Sequence, residues 1–275
     1  LVKAFQKMLD DIEGIFTIAA IHVDNPEQIV SVRSETPLVI GLGNGENYVA
    51  SDIYAILKYT QQIIYPDDFQ IVSVSPKEVK VFDENLKDVE FEVETVEKYT
   101  EVSEKGGFEH FMLKEIFEQP EALRQCISGR TQLSEGVARL GGLNMAKRTM
   151  KAIPHVRLVG CGTALHAAQV GRLAIEHLAR VPSFAHVASE FRQNDPVIDP
   201  RALHFAVSQS GETADTLSAV KYIQENDAKV RGVVNVVGSS IARQCGHGVY
   251  IHSGPEQAVA STKAFTNMVA ALNLF

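Results

Sequence analysis

Between residues 156 and 236 the sequence alternates short apolar runs with helical stretches of ten to fifteen residues, and no other feature limits the fold as sharply. The runs are Val156-Arg157-Leu158-Val159-Gly160, Leu203-His204-Phe205-Ala206-Val207 and Val230 to Val236; helices are expected from about Ala164 to Leu178 and from about Thr213 to Asn226. Units of this size pair their strands in parallel, because a helix must return the chain to the starting edge of the sheet. The expected class is α/β, with a parallel sheet flanked by helices.

The first hundred residues have a different pattern. Residues 15 to 23 and Ile29 to Arg33 are β-prone and flank the turn-forming Asp24-Asn25-Pro26-Glu27, which predicts a hairpin. Further short runs at Leu38 to Gly43, Tyr48 to Ser51 and 69 to 82 continue it, with a helix expected over Asp52 to Tyr59. Strands adjacent in sequence indicate antiparallel meanders. Residues 83 to 104 hold nine acidic side chains against Lys87 and Lys98, as expected of a solvated edge strand and linker. Gly106-Gly107 breaks the chain, and Phe108 to Gln119 has helical spacing that Pro120 is expected to stop. The expected domains are 1–100 and 105–275.

Composition narrows the function classes. A formal charge of −8 with no basic run longer than two residues argues against a nucleic-acid partner. No stretch reaches the roughly 18 apolar residues of a membrane helix, so no membrane partner is expected. Cys126, Cys161 and Cys245 lie far apart without zinc-ligand spacing, which fits a reducing cytoplasm and no metal. The chain opens on Leu1 and closes at Phe275 within an apolar helical pattern, the expectation being a piece of a longer protein.

In open parallel sheets ligands sit beyond the carboxyl ends of the strands, so the loops there are the candidates. Ser208-Gln209-Ser210-Gly211-Glu212-Thr213 follows one strand and precedes a helix; hydroxyls, a glycine and free N–H groups at a helix N-terminus suit a phosphate without any lysine. The same residues would also serve as a plain helix cap. Gly160-Cys161-Gly162-Thr163-Ala164 approaches a dinucleotide fingerprint, but Leu165 stands where the third glycine belongs, so no nicotinamide cofactor is expected. Val259-Ala260-Ser261-Thr262-Lys263 opens the last helix and, taken alone, is an N-cap.

Other features carry less chemistry. The GxSxG pattern is absent around Ser210, the nine histidines form no HxxxH or HExxH set, and Gly41 to Glu46 lacks the lysine of a phosphate loop and is expected to join two strands. Cys161, at a glycine-rich helix start, is either a reactive thiol or a small packing residue.

Taken in order, Cys161-Gly162-Thr163, the stretch Ser208 to Thr216 and the stretch Val259 to Thr266 closely resemble the isomerising glutamine:fructose-6-phosphate aminotransferases. The likeness extends to Gly107 to Pro120 and to Ser34 to Asp52, and so covers nearly the whole chain. It implies the strand-rich rear of an N-terminal-nucleophile glutaminase domain, followed by a flavodoxin-like sugar isomerase (SIS) domain. The family makes glucosamine 6-phosphate from fructose 6-phosphate and glutamine. By resemblance, Ser208, Gln209, Ser210 and Thr213 would hold the phosphate, and Gly162, Thr163, Ala164, Val259, Ala260 and Ser261 would contact the sugar. Ala164 departs from the serine common there, which removes one hydroxyl.

The family's glutaminase nucleophile is an N-terminal cysteine, whereas residue 1 is Leu, and the groups that open and isomerise the sugar belong to a second SIS domain. The resemblance therefore implies no catalytic residue in this chain, glutamine as a partner only of the full-length parent, no cofactor, and a homodimer. The alternative is a non-catalytic SIS-domain regulator that senses a sugar phosphate.

Overall fold

The computed structural model describes residues 1–34, 36–96, 105–132 and 134–275. The chain divides into two compact units, residues 1–102 and 103–275.

The first unit contains α1 (Val2–Leu9), β1 (Phe16–His22), β2 (Asn25–Ser34), β3 (Val39–Leu42), β4 (Asn47–Ala50), β5 (Gln62–Ile64), β6 (Ile71–Val74), β7 (Val79–Phe82), β8 (Asp88–Val89) and β9 (Glu94–Thr95). The strands form two antiparallel sheets, ordered β1-β2-β6-β7-β8 and β4-β3-β5-β9. Side-chain alternation decides what each face covers. Val72 and Val74 meet Leu38, Ile40 and Ile64 of the other sheet, whereas Ile71, Val30 and Val32 face Phe5 of α1.

The predicted hairpin is β1–β2, and Gly41 to Glu46 lies at the β3–β4 turn, where Gly43 N–H donates to Glu46 O at 3.0 Å. The helix predicted over 52–59 shrinks to a 3₁₀ turn at Ile53–Ala55. So short a segment gains too few internal bonds to offset nucleation, and turns suffice to bury Ile53, Ile56 and Leu57. Helix α1 has no counterpart among the elements expected from sequence. The acidic stretch supplies the outer strands β8 and β9, and its residues 97–104 lie outside the described residues.

The second unit runs α2 (Phe111–Ile127), the short hairpin β10 (Thr131–Gln132) and β11 (Val137–Ala138), α3 (Lys147–Lys151), β12 (Val156–Gly160), α4 (Gly162–Leu178), β13 (Ser183–Val187), α5 (Ala188–Phe191), β14 (Leu203–Ser208), α6 (Ala214–Glu225), β15 (Val230–Val234), α7 (Ser240–Cys245), β16 (Gly248–Tyr250) and α8 (Lys263–Asn273). Its main sheet is five-stranded, parallel throughout and ordered β13-β12-β14-β15-β16, the flavodoxin arrangement.

Both faces of that sheet are covered, which is why its central strands are nearly all apolar. Leu158, Phe205 and Val207 pack against Ala167 and Ala168 of α4 and Met268 and Ala271 of α8. On the opposite face Val159, Ala206 and Val234 pack against Leu217, Val220 and Ile223 of α6 and Ile241 of α7.

Pro120 lies inside α2 and does not end it, contrary to expectation. A proline deprives the carbonyl four residues back of its donor. In α2, Gln119 Nε2 donates to Ile116 O at 3.0 Å and replaces the missing bond.

Candidate functional site

The chain leaves β12 toward α4 on one face of the sheet and leaves the neighbouring β14 toward α6 on the other. Between two such strands the departing loops diverge and leave a crevice at the carboxyl ends, where ligands of open α/β sheets bind. The loops 160–164 and 208–213 both open onto it.

The 208–213 loop is fixed by its own atoms. Ser208 is 1% exposed, and its Oγ accepts the Gly211 N–H at 3.0 Å and stands 3.1 Å from Thr213 Oγ1. Ser210 Oγ accepts the Glu212 N–H at 3.1 Å. Gly211 has φ +69°, and a Cβ there would lie 2.0 Å from Ser239 Oγ, so the turn admits glycine alone. Gly211 O accepts the Ile241 N–H, and Glu212 Oε1 accepts the Ser240 N–H at 2.8 Å, tying the loop to α7.

These hydroxyls do not cap α6. Thr213 occupies the N-cap position, yet its side chain makes no capping hydrogen bond, and Cys161 at the N-cap of α4 makes none either. Two helix N-termini without a capping bond from the N-cap side chain thus turn positive dipole ends to one crevice.

The third element, loop 253–262, has no regular structure and is held largely from outside. Asn235 Nδ2 donates to Gly254 O and its Oδ1 accepts the Ser253 N–H, both at 2.8 Å, and its backbone N–H donates to Gln209 O at 3.2 Å. The expected Ser/Thr cap of α8 is replaced by Glu256, whose Oε1 accepts N–H bonds from Thr262 at 2.8 Å and Ala264 at 3.2 Å. Ser261 Oγ is buried with no hydrogen-bond partner among the described residues.

These elements enclose a cavity of about 140 Å³ lined by Ser208, Gln209, Ser210, Thr213, Thr163, Ala164 and Ser261, with Cys161 and Met268 completing the wall. Gly162, at φ +52°, starts α4 but does not line it. Val259 and Ala260 are also outside the lining, and Val259 is fully exposed. The half-buried Cys161 Sγ lies 4.0 Å from Asp215 Oδ2. Lys263 does not reach the cavity, because its Nζ donates to Glu118 Oε2 at 2.7 Å. Among the described residues no group of three His, Cys, Asp or Glu side chains could hold a metal, and no helix is long and apolar enough to cross a membrane. Sequence reasoning missed Asn235 and Glu256, whose roles depend on contacts that their local sequence does not signal.

Residues 150–275 match the SIS domain family. The whole chain is 43% identical over 274 residues to the glutamine–fructose-6-phosphate aminotransferase (isomerizing) of Caldanaerobacter subterraneus subsp. tengcongensis, and likewise 43% identical to that of Symbiobacterium thermophilum. It spans only 45% of the length of either relative. Among solved structures, the C-terminal domain of glucosamine-fructose-6-phosphate aminotransferase from Francisella tularensis matches with a TM-score of 0.57 and 36% identity, over 62% of this chain and 48% of that one. Residues 150–275 are therefore similar to a SIS domain, within a chain similar along its entire length to the isomerising glutamine–fructose-6-phosphate aminotransferases and spanning less than half of them.

Proposed function

We propose that the crevice binds the sugar phosphate of an isomerising glutamine–fructose-6-phosphate aminotransferase, the parent protein forming glucosamine 6-phosphate from fructose 6-phosphate and glutamine. Ser208, Gln209, Ser210 and Thr213 take the phosphate, and Thr163, Ala164 and Ser261 face the sugar, with Gly162, Val259 and Ala260 added by the resemblance alone. The observation that carries this reading is the convergence of hydroxyls on two helix N-termini whose N-cap side chains, Cys161 and Thr213, make no capping bond.

A phosphate presents only acceptors, so the site must present donors. Ser208 Oγ already accepts from Gly211, which leaves its proton to donate. Ser208 and Thr213 bond each other, which uses one hydroxyl proton and leaves the other for the ligand. With Lys263 engaged by Glu118, N–H groups and hydroxyls carry the recognition.

The first unit is proposed to be the rear of the glutaminase domain. Cys126, the first cysteine of the chain, is buried in the second unit and does not serve as the glutaminase nucleophile; the resemblance assigns that nucleophile and the isomerising groups to other parts of the parent. The three free thiols support a reducing cytoplasm. Exposed Met112, Ile116 and Phe117 on α2 and Leu173 on α4 support self-association of the parent into a homodimer.

Calorimetric titration tests the reading. Fructose 6-phosphate is expected to bind, fructose is not, and Ser208→Ala with Thr213→Ala is expected to weaken binding by about 1–3 kcal/mol. Equal binding of fructose and its phosphate would sink it.

A further inference from the structure

We propose that Glu115, on α2, is a positioning residue for the sugar-phosphate site: its buried carboxyl group holds the backbone of loop 253–262 and so sets where Ser261 stands. This inference rests on the sugar-phosphate reading of the crevice.

An irregular ten-residue segment keeps a fixed place only where its backbone groups are engaged. Glu115 is 3% exposed, and its Oε1 accepts the Gln257 N–H at 2.6 Å and the Ala258 N–H at 3.2 Å, with Oε2 3.3 Å from the same Ala258 nitrogen. A carboxyl group is tolerated at such depth only with donors around it, and for Glu115 backbone N–H groups of the loop supply them.

One helical turn further on, Glu118 receives Lys263 Nζ at 2.7 Å and lies 3.4 Å from Lys114 Nζ. Partial burial works against ionisation of Glu118, but the two lysines prevail and hold its carboxyl below the ordinary range. Helix α2 thus grips the chain at 257–258 and again at 263, and Ser261, whose hydroxyl lines the cavity without a partner among the described residues, lies between the two grips.

Glu115 is not needed to start α8, which Glu256 caps. Nor is it needed to hold α2 against α8, because buried Asn267 Nδ2 donates to Ala122 O at 2.9 Å and to Ile251 O at 3.0 Å. Its distinctive contact is with the loop.

The 275-residue chain is titrated with fructose 6-phosphate and, separately, with inorganic phosphate, as wild type, Glu115→Ala and Glu115→Gln. Loop 208–213 keeps its own internal bonds in both variants, so inorganic phosphate is expected to bind as in wild type, within about twofold. Fructose 6-phosphate, which also needs the sugar side of the cavity, is expected to bind about tenfold more weakly to Glu115→Ala, the loss of roughly one net hydrogen bond. Glu115→Gln keeps an acceptor oxygen for the two N–H groups and is expected to recover most of that loss. Unchanged fructose 6-phosphate binding, or equal weakening of both ligands, would overturn the positioning role. A wild-type chain that binds neither ligand removes the sugar-phosphate reading itself, whereas wild-type binding without the selective loss removes Glu115 alone.

Discussion

The two loops that meet at the crevice are built by opposite means. Loop 208–213 is held mostly by its own side chains and by one glycine, within six residues of sequence. Loop 253–262 is held over its first half by Asn235 and Glu115, the latter more than a hundred residues away, and only at its end by its own Glu256. A short loop entering a helix has few backbone groups to satisfy and can satisfy them locally; a long irregular one must borrow partners from elsewhere in the fold. The local loop is therefore sensitive to single atoms, and the borrowed one to the packing around it.

The sharpest way to break this contrast is Gly211→Ala. The new Cβ would lie 2.0 Å from Ser239 Oγ and 2.5 Å from its Cβ, at φ +69°. Overpacking together with left-handed strain is expected to cost about 3–4 kcal/mol, read as a lower urea midpoint with an unchanged slope. Gly162→Ala has the same sign of φ, +52°, but nothing within 4 Å, and is expected to cost only about 1 kcal/mol. Equal costs for the two would show that the backbone angle, not the contact with Ser239, selects glycine at 211.

Acid tests the scaffold the two loops share. His204, in β14, is fully buried; burial first, with Arg157 and His155 adding to it, pushes its pKa down to about 4. The folded state keeps the ring neutral, while the unfolded chain takes up a proton near pH 6.5. Stability is therefore full above about pH 6.5 and falls as the pH drops toward about 4, where the loss levels at roughly 3 kcal/mol. His186 and His252 are shifted in the same direction by burial and steepen the fall. Urea unfolding near neutral pH and again at about pH 4.5 measures this, and His204→Gln is expected to flatten the dependence. Both loops are expected to lose ligand binding together, because they rest on one sheet.

The same contrast explains how much could be read in advance. The strands β12, β14 and β15 and the hydroxyl loop after β14 were legible because alternation of short strands and helices, glycine and serine are local signals. The edge strand β16 was not, being only Gly248–Tyr250. Pro120 misled because its compensating bond comes from the side chain of Gln119, which propensity does not register. Glu115, Asn235 and Glu256 look like ordinary polar residues in sequence, and their work appears only when the backbone of loop 253–262 is followed to its donors and acceptors. Val259 and Ala260 came from family resemblance, and the cavity wall does not include them.

The smallest expected effect on stability sharpens the comparison most finely. Ser261→Ala removes a buried hydroxyl that has no partner among the described residues, so the folded chain loses no hydrogen bond and is expected to change by less than about 0.5 kcal/mol, or to gain slightly. Ser208→Ala removes the acceptor of the Gly211 N–H and is expected to cost about 1–2 kcal/mol in the same assay. Both hydroxyls line one cavity, so both variants are expected to weaken fructose 6-phosphate binding. A hydroxyl that costs binding but not stability is present for the ligand, and one that costs both also builds the loop. Should Ser261→Ala destabilise the chain as much as Ser208→Ala, the borrowed loop would have an internal partner for Ser261, and the division between the two loops would fail at that residue.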